Sequence, residues 1–238
     1  IVLHHTMDAA SVGLRGMIFR VYNRIFMPRI FKQAHVMITL SEDYFRDCDI
    51  TNVYENFPDA PPIEFVPNGV DINLFRPAQK LPPTPYPLPT ILFASGLDRA
   101  HYFKGVHVLI EAMRMLKEQG VKCRAWIIGD GKMRKEYAAH VQEIGLSNVE
   151  FLGLVPHEKL PEYYCQAMVA VVPSTARVEC FSIVAAEAQA CGIPAIVSNF
   201  PGVRVTIENG KTGFVVRPGD PEDLAHKILQ IIEDPQGA

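Results

Sequence analysis

Residues 168–198 read MVAVVPSTARVECFSIVAAEAQACGIPAIVS, and this stretch decides the fold class. Two short apolar runs, 168–172 and 195–198, enclose a segment, 182–191, whose apolar residues recur at helical spacing. Short apolar runs next to turn residues are typical of buried strands, so the stretch predicts one strand–helix–strand unit. Both strands are apolar on both faces, as a parallel sheet covered by helices requires.

The same alternation continues on both sides of this unit. Strands are predicted at 91–95, 123–128, 149–152 and 213–216, and helices at 104–119, 131–144, 158–167, 202–208 and 221–233. Strands that alternate with helices predict βαβ units with right-handed crossovers and a parallel sheet. In such sheets ligands bind at the carboxyl ends of the strands, so the loops that follow the strands are the candidate functional segments.

The first third of the chain has its own α/β pattern. Strands are predicted at 1–5, 36–40 and 63–66, and a helix at 14–33 that Pro28 should kink or split. Prolines at 77, 82, 83, 85, 87 and 89 exclude a helix or a central strand there. We therefore expect a domain over 1–76, a semi-rigid linker over 77–90 and a second domain over 91–238.

The composition is that of an ordinary globular protein. The 238 residues are 48% apolar and 21% charged, and no uncharged apolar run approaches the roughly 18 residues of a membrane span. A formal net charge of −3 supplies no overall basic field for binding nucleic acid. Five widely spaced cysteines without a CxxC pair disfavour a zinc site or a disulfide framework and favour a reducing cytoplasm. Because the chain enters an apolar run at Ile1 and stops just after a predicted helix, we expect a fragment cut at both ends.

Glu187 is the most informative residue of the predicted 182–191 helix. Its neighbours at i±4 are apolar, so the carboxylate lies on a face that should be buried. A buried carboxylate without a partner costs several kcal/mol, and two partners are open. One is a ligand cis-diol such as ribose, which would donate two charge-assisted hydrogen bonds; the other is an internal salt bridge to Arg177 or another basic residue. Glu187 lies ~7 Å along the axis from the helix start, which leaves room there for a diphosphate.

The loop that follows the 91–95 strand is the second candidate. Residues 95–105, SGLDRAHYFKG, combine glycines, Arg99 and Lys104 with the start of a helix. Helix N-termini and lysines favour phosphate, while the simpler interpretation is a solvated Lys-Gly turn. The Gly-Asp-Gly turn at 129–131 is a common turn, so it is only a weak indication of a ligand site.

These segments resemble the retaining family-four glycosyltransferases, which have the GT-B fold of two Rossmann-like domains. The pair Glu179 and Glu187 is similar to the two-glutamate motif of that family. Further matching segments follow the same order: VPNGVD (66–71), FRP (75–77), KG (104–105), IGDG (128–131), VEFLG (149–153), VVPS (171–174), AEAQACG (186–192) and NGKTGF (209–214). The resemblance implies a complete C-terminal nucleotide-sugar domain and only part of the N-terminal, acceptor-side domain.

The resemblance also implies roles for individual residues. It makes His5, Lys104 and Glu179 the catalytic candidates: His5 near the anomeric carbon, with His4 as the alternative register, Lys104 at the leaving diphosphate and Glu179 at the donor-sugar hydroxyls. Glu187 would hold ribose. The implied donor-binding set is Gly96, Arg99, Lys104, Gly129, Gly153, Val155, Glu179, Cys180, Phe181, Ser182, Ile183 and Glu187. Leu97 and Ser182 depart from the family's usual arginine and glycine, and Arg99 would supply the missing charge.

The implied reaction moves a sugar from a nucleoside-diphosphate-sugar to an acceptor hydroxyl with retention, without a metal or other cofactor. The acceptor would be a sugar, a lipid-linked molecule or a small molecule, in polysaccharide, glycolipid or other glycoconjugate synthesis. Two alternatives stay open: a GT-B sugar-nucleotide epimerase, and a fragment that binds nucleotide-sugar without turnover. The basic, apolar helix at 14–33 either contacts the inner face of a membrane or only exposes a solvated basic edge.

Overall fold

The computed structural model describes residues 2–5, 14–78 and 88–235. Contacts divide the chain into two compact units. The first unit comprises Ile1–Asn68, Arg177–Phe181 and Phe200–Val205, and the second comprises Gly69–Ala176, Ser182–Asn199 and Thr206–Ala238. Most of the proline-rich segment, residues 79–87, lies outside the described residues, and the domain boundaries drawn around it stay a prediction.

The first unit is built on a parallel sheet. Among its described residues the strand order is β1-β2-β3, with β1 at Val2–His5, β2 at Val36–Thr39 and β3 at Ile63–Phe65. Its helices are α1 at Leu14–Phe31, α2 at Glu42–Arg46 and α3 at Asp49–Glu55. Helix α1 is not split by Pro28, which lies in its last turn. Ser41 begins α2 because its side chain accepts a hydrogen bond from the Tyr44 N–H at 3.1 Å.

Two later segments of the chain belong to this first unit. Cys180 packs against its apolar core, which includes Phe31, Met37 and Phe45. The Arg204 side chain donates to Asp43 at 3.0 Å, so the 200–205 segment is attached through a charged hydrogen bond. The helix predicted at 202–208 is wrong in type: only one 3-10 turn forms, at Arg204–Thr206.

The second unit has the strand order of a Rossmann-like sheet. Six parallel strands of its described residues are ordered β6-β5-β4-β7-β8-β9. The strands are β4 at Thr90–Ala94, β5 at Arg124–Ile128, β6 at Val149–Gly153, β7 at Val169–Val172, β8 at Ala195–Ser198 and β9 at Gly213–Val216. The helices are α4 at Val106–Glu118, α5 at Arg134–Glu143, α6 at Leu160–Tyr164, α7 at Ile183–Ala190 and α8 at Pro221–Glu233.

The predicted α/β class with parallel sheets is therefore confirmed. Strands β5, β7 and β8 are buried along their whole length, as a sheet covered on both faces requires, including Arg124 in β5 and Ser198 in β8. The strand order reverses between β4 and β7, and this switch point is where open α/β sheets bind ligands. Within the described ranges, no helix has both the length and the apolar character that crossing a bilayer requires.

Candidate functional site

A cavity of about 290 Å³ opens beside the switch point of the second unit. Its walls come from the ends of β4 and β5, from the segments that follow β4, β5 and β6, and from α6 and α7. The lining residues are Ala94, Ser95, Gly96, Ile128, Gly129, Leu154, Val155, Leu160, Ile183, Val184 and Glu187. The lining is mostly backbone and aliphatic side chains, with one carboxylate.

Close backbone packing explains the glycine at position 129. Gly129 has φ +132°, and a Cβ there would lie 1.8 Å from the carbonyl oxygen of Ser95. Its N–H donates to the Gly153 carbonyl at 2.8 Å, which joins the end of β5 to the end of β6. Only glycine permits this approach, so the wall of the cavity here is backbone.

Glu187 is the buried charge of this site. The residue is 5% exposed, and its Oε2 accepts a hydrogen bond from the Tyr164 hydroxyl at 2.7 Å. Its Oε1 lies 4.0 Å from Nδ1 of His157. Burial raises the pKa of Glu187, although the Tyr164 hydrogen bond and His157 act in the opposite direction. Arg177 is not its partner, because Arg177 pairs with Asp47 at 2.8 Å within the first unit, whereas His157 is a basic side chain close to the carboxylate.

Sequence reasoning missed the group that holds Glu187 in place. Tyr164 is fully buried, and burial together with the neighbouring carboxylate raises its pKa well above the usual value. Its ring packs edge-on against Phe75 at 5.9 Å, and the His157 ring lies 5.1 Å from the same phenylalanine. The sequence offers only two consecutive tyrosines in a predicted helix, and nothing there indicates which hydroxyl faces Glu187.

The N-terminus of α7 lies where the sequence predicts it. Ser182 is the N-cap, and its side chain accepts from the Ala185 N–H at 3.2 Å. Ser182 is fully buried, whereas Ile183, the first helical residue, is 48% exposed. The serine hydroxyl is therefore engaged by its own helix, and the first-turn N–H groups point out of the N-terminal end of α7.

Lys104 and Arg99 are the two ends of a 3-10 helix, Arg99–Lys104, which precedes α4. The helix predicted from residue 104 therefore begins later, at Val106. Gly105 separates the two helices with φ +80°, and a Cβ there would lie 1.9 Å from the Pro173 carbonyl oxygen. The Thr175 N–H donates to the Phe103 carbonyl at 2.7 Å. The lysine-bearing segment is thus attached to the loop that follows β7.

The predicted site residues are distributed over the two units. Five predicted residues line the cavity: Gly96, Gly129, Val155, Ile183 and Glu187. Four more belong to the same unit: Arg99, Lys104, Gly153 and Ser182. The others belong to the first unit: His5, Glu179, Cys180 and Phe181. His5 ends β1, but its side chain lies outside the described residues. Among the described side chains, no group of three or more histidines, cysteines or carboxylates is placed to hold a metal ion.

Removing the Tyr164 hydroxyl tests how Glu187 is held. Tyr164→Phe is expected to lower the free energy of unfolding by about 1.5–3 kcal/mol at pH 7, because a buried carboxylate loses its donor. The pKa of Glu187 in the folded protein is already raised, so protonation of this carboxyl favours the folded state. The loss of unfolding free energy in the variant should therefore shrink as the pH falls through that pKa. Urea unfolding at several pH values measures this. Tyr163→Phe is the matched control, and an equal, pH-independent deficit in both variants would contradict the assignment.

Comparison with known proteins supports a family assignment. The sequence pattern described as "Glycosyl transferases group 1" matches residues 87–238. The D-inositol 3-phosphate glycosyltransferase of Streptosporangium roseum is 31% identical over 191 residues, which are 73% of this chain and 42% of that protein. This chain thus spans less than half the length of that curated relative.

Two solved structures are similar over almost the whole chain. Sucrose-phosphate synthase from Thermosynechococcus elongatus has a TM-score of 0.76 at 27% identity. The match covers 98% of this chain and 59% of the synthase chain. The Anabaena protein HepE in complex with UDP has a TM-score of 0.77 at 23% identity. The match covers 99% of this chain and 64% of the HepE chain. HepE has also been solved with UDP-glucose, with a TM-score of 0.72. The GT-B fold class that the sequence resemblance implied is confirmed. Since the family pattern matches more than half of its residues, this chain belongs to the glycosyl transferases group 1 family.

Proposed function

We propose that this protein transfers a sugar from a nucleoside-diphosphate-sugar to an acceptor hydroxyl. The observation that carries the proposal is a buried carboxylate, Glu187, in the wall of a cavity at the switch point of a Rossmann-like sheet. Tyr164 satisfies one oxygen of this carboxylate, and a ribose diol would supply two further donors to an ionised group kept there at a desolvation cost. The complexes of HepE with UDP and UDP-glucose support the same class of donor.

The contacts of Glu187 support a diol in one particular orientation. Its Oε2 already accepts from Tyr164, and Oε1 has only His157 nearby, at 4.0 Å. We infer that the diol donates mainly to Oε1, with the second hydroxyl reaching the remaining lone pair of Oε2. The Tyr164 hydrogen bond would hold the carboxylate in this orientation before the ligand binds, which reduces the ordering cost of binding.

The diphosphate would lie between the start of α7 and the lysine-bearing segment. Helix α7 begins at Ile183, and its first-turn N–H groups favour an anion. Lys104 and Arg99 would add positive charge, with Lys104 nearest to the phosphate that leaves. As the bond to the sugar breaks, negative charge grows on the diphosphate, and donors already in position stabilise it.

The finer steps rest on the resemblance to retaining family-four enzymes. We propose that Glu179 binds donor-sugar hydroxyls and that His5 lies near the anomeric carbon, so that transfer proceeds with retention. Backbone groups at Gly153 and Val155 would contact the base, and those near Cys180, Phe181 and Ser182 would contact the phosphates. No metal is required in this scheme, because the cationic side chains and helix N-terminus carry the charge stabilisation.

A hexosyl donor and an acceptor in glycoconjugate or polysaccharide synthesis complete the proposal.

Helix α1 supports a lipid-linked acceptor at the inner membrane face. Its exposed apolar residues are Met17, Ile18, Phe19, Val21, Tyr22, Ile25 and Phe26. Arg20 and Arg24 of the same helix line a cavity of about 810 Å³, which also includes Asn52 and Asn56. Co-sedimentation with anionic vesicles that disappears at high salt would support contact, and no co-sedimentation at low salt would exclude it.

A panel of UDP-, GDP- and ADP-sugars tests the donor class. We expect thermal stabilisation by one nucleotide series only, with the free nucleoside diphosphate of that series also effective, because most of the proposed contacts are to ribose and phosphate. If none of the three nucleotide series raises the unfolding temperature, the proposal is overturned. Stabilisation followed by release of the nucleoside diphosphate in the presence of an acceptor would distinguish a transferase from a protein that only binds nucleotide-sugar.

A further inference from the structure

His157 faces the carboxylate oxygen of Glu187 opposite to the one that Tyr164 holds. Its Nδ1 lies 4.0 Å from Oε1, whereas Oε2 accepts from the Tyr164 hydroxyl at 2.7 Å. The His157 side chain is 58% exposed, and Val155 and Leu160, on either side of it along the chain, line the cavity. Because Glu187 also lines the cavity, a ligand there can reach the space between Nδ1 and Oε1.

The imidazole is positioned by packing rather than by the carboxylate. Its ring lies 5.1 Å from the Phe75 ring, at an interplanar angle of 59°. Phe75 is 1% exposed and also packs edge-on against Tyr164, so one buried ring supports both of the side chains that flank Glu187. The histidine begins a 3-10 turn, His157–Lys159, so its backbone is held by local structure as well.

The separation between Nδ1 and Oε1 is too long for a direct hydrogen bond, but it suits one bridging oxygen. Hydrogen bonds from N–H to oxygen are about 2.7–3.2 Å long, and those from a hydroxyl to a carboxylate are about 2.5–2.7 Å long. The two lengths together exceed the 4.0 Å separation, so a single hydroxyl can contact both atoms. It would donate to Oε1 and accept from Nδ1–H.

We propose that His157 is a ribose-binding residue, whose Nδ1–H donates to the hydroxyl that itself donates to Oε1 of Glu187. An imidazole carries a hydrogen on Nδ1 when it is protonated and also in one of its neutral tautomers, so the contact does not require a charged histidine. A donor and an acceptor together select a hydroxyl, which can serve both. This inference rests on the proposed function, because it adds a contact to the same ribose site.

A direct ion pair between His157 and Glu187 is the competing interpretation. A protonated imidazole held against the carboxylate would occupy the space that a ribose hydroxyl needs, and the nucleotide would have to displace it. The two interpretations therefore predict opposite effects of removing the imidazole. Under the proposal His157→Ala weakens nucleotide binding, whereas under an ion pair it leaves binding unchanged or strengthens it.

Calorimetry on the full chain with UDP, GDP and ADP first identifies the diphosphate that binds. We expect His157→Ala to weaken binding of that diphosphate about 5-fold to 10-fold, since one hydrogen bond to a hydroxyl is lost. His157→Asn, whose amide nitrogen can take the position of Nδ1, should recover part of the loss. His140→Ala is the matched control, because this exposed histidine lies 3.8 Å from Glu143 on helix α5 and has no place in the proposed site.

The 2′-deoxy and 3′-deoxy forms of the same diphosphate separate a ribose contact from a structural role. The effect of His157→Ala should persist with the analogue that keeps the bridging hydroxyl and disappear with the analogue that lacks it. A histidine that only supports the fold would weaken binding of the ribonucleotide and of both analogues equally. Urea unfolding of the variant measures any loss of stability separately.

Equal losses for the ribonucleotide and both analogues, or no loss at all, would overturn the proposal. Tighter binding by His157→Ala would establish the ion pair in its place. These results leave the proposed function standing if Glu187→Gln still weakens binding. A wild-type chain that binds none of the three diphosphates refutes the proposed function itself, and the ribose contact with it.

Discussion

Replacing Glu187 by glutamine is expected to weaken nucleotide-sugar binding by about 100-fold or more. The variant keeps the size of the side chain and an oxygen that accepts from Tyr164, but it removes the negative charge. Hydrogen bonds to a charged group contribute about 1.5–3 kcal/mol each, and a diol would lose the charged part of two of them. Because the carboxylate is buried, solvent screens this loss little.

Isothermal titration calorimetry with the nucleoside diphosphate that stabilises the wild-type protein measures the effect. Glu158→Gln is the matched control, since this neighbour of His157 is exposed and has no place in the proposed site. The unfolding free energy of Glu187→Gln should be equal to or above that of the wild-type protein, because a buried charge is removed. Equal affinity in both variants would refute the ribose role of Glu187.

The same carboxylate sets the direction of the pH dependence. The diol binds the ionised form, so affinity is present above the folded pKa of Glu187 and is lost as the pH falls through it. Burial raises that pKa, so the loss should begin above the range of an ordinary glutamate, whose pKa is about 4.3. Glu187→Gln should show no such step, and a wild-type affinity that stays constant through this range would contradict the assignment.

Replacing Lys104 by alanine is expected to lower turnover by about 100-fold to 1,000-fold, since it removes one fixed donor from the leaving diphosphate. The charge on the diphosphate grows as the bond to the sugar breaks, so the effect on kcat should exceed the effect on donor affinity. The affinity for the nucleoside diphosphate should fall about 10-fold, while that for the nucleoside alone stays unchanged. Turnover is measured as nucleoside diphosphate released, and affinities by calorimetry.

Lys132→Ala supplies the comparison for Lys104. Lys132 is an exposed lysine in the turn that follows β5, and it has no place in the proposed site. Its removal should change neither turnover nor affinity beyond a small long-range charge effect. If Lys104→Ala weakened binding of the nucleoside and its diphosphate equally, its role at the phosphates would be refuted.

Most of the helices and strands could be predicted from local sequence patterns. Strands β7 and β8 follow the apolar runs at 168–172 and 195–198 to within one residue, because continuous apolar sequence has to be covered on both faces. The predicted helix start at Ser182 is confirmed, since capping depends on residues within one turn. Short helices were less predictable: 202–208 became a 3-10 turn, because packing rather than propensity decides the conformation of so few residues.

The sequence by itself determined which residue had to be explained: Glu187, a carboxylate among alanines at a fixed distance from the start of a helix. It left a ligand diol and an internal basic residue open as partners of Glu187, and only the tertiary structure reveals a third partner, the Tyr164 hydroxyl. Tyr164 lies 23 positions away along the chain, and folding alone brings its hydroxyl to the carboxylate while Arg177 turns to Asp47. The physical reason is that helical spacing is a local property, readable from neighbours, whereas the partner of a buried charge depends on which distant elements pack against it.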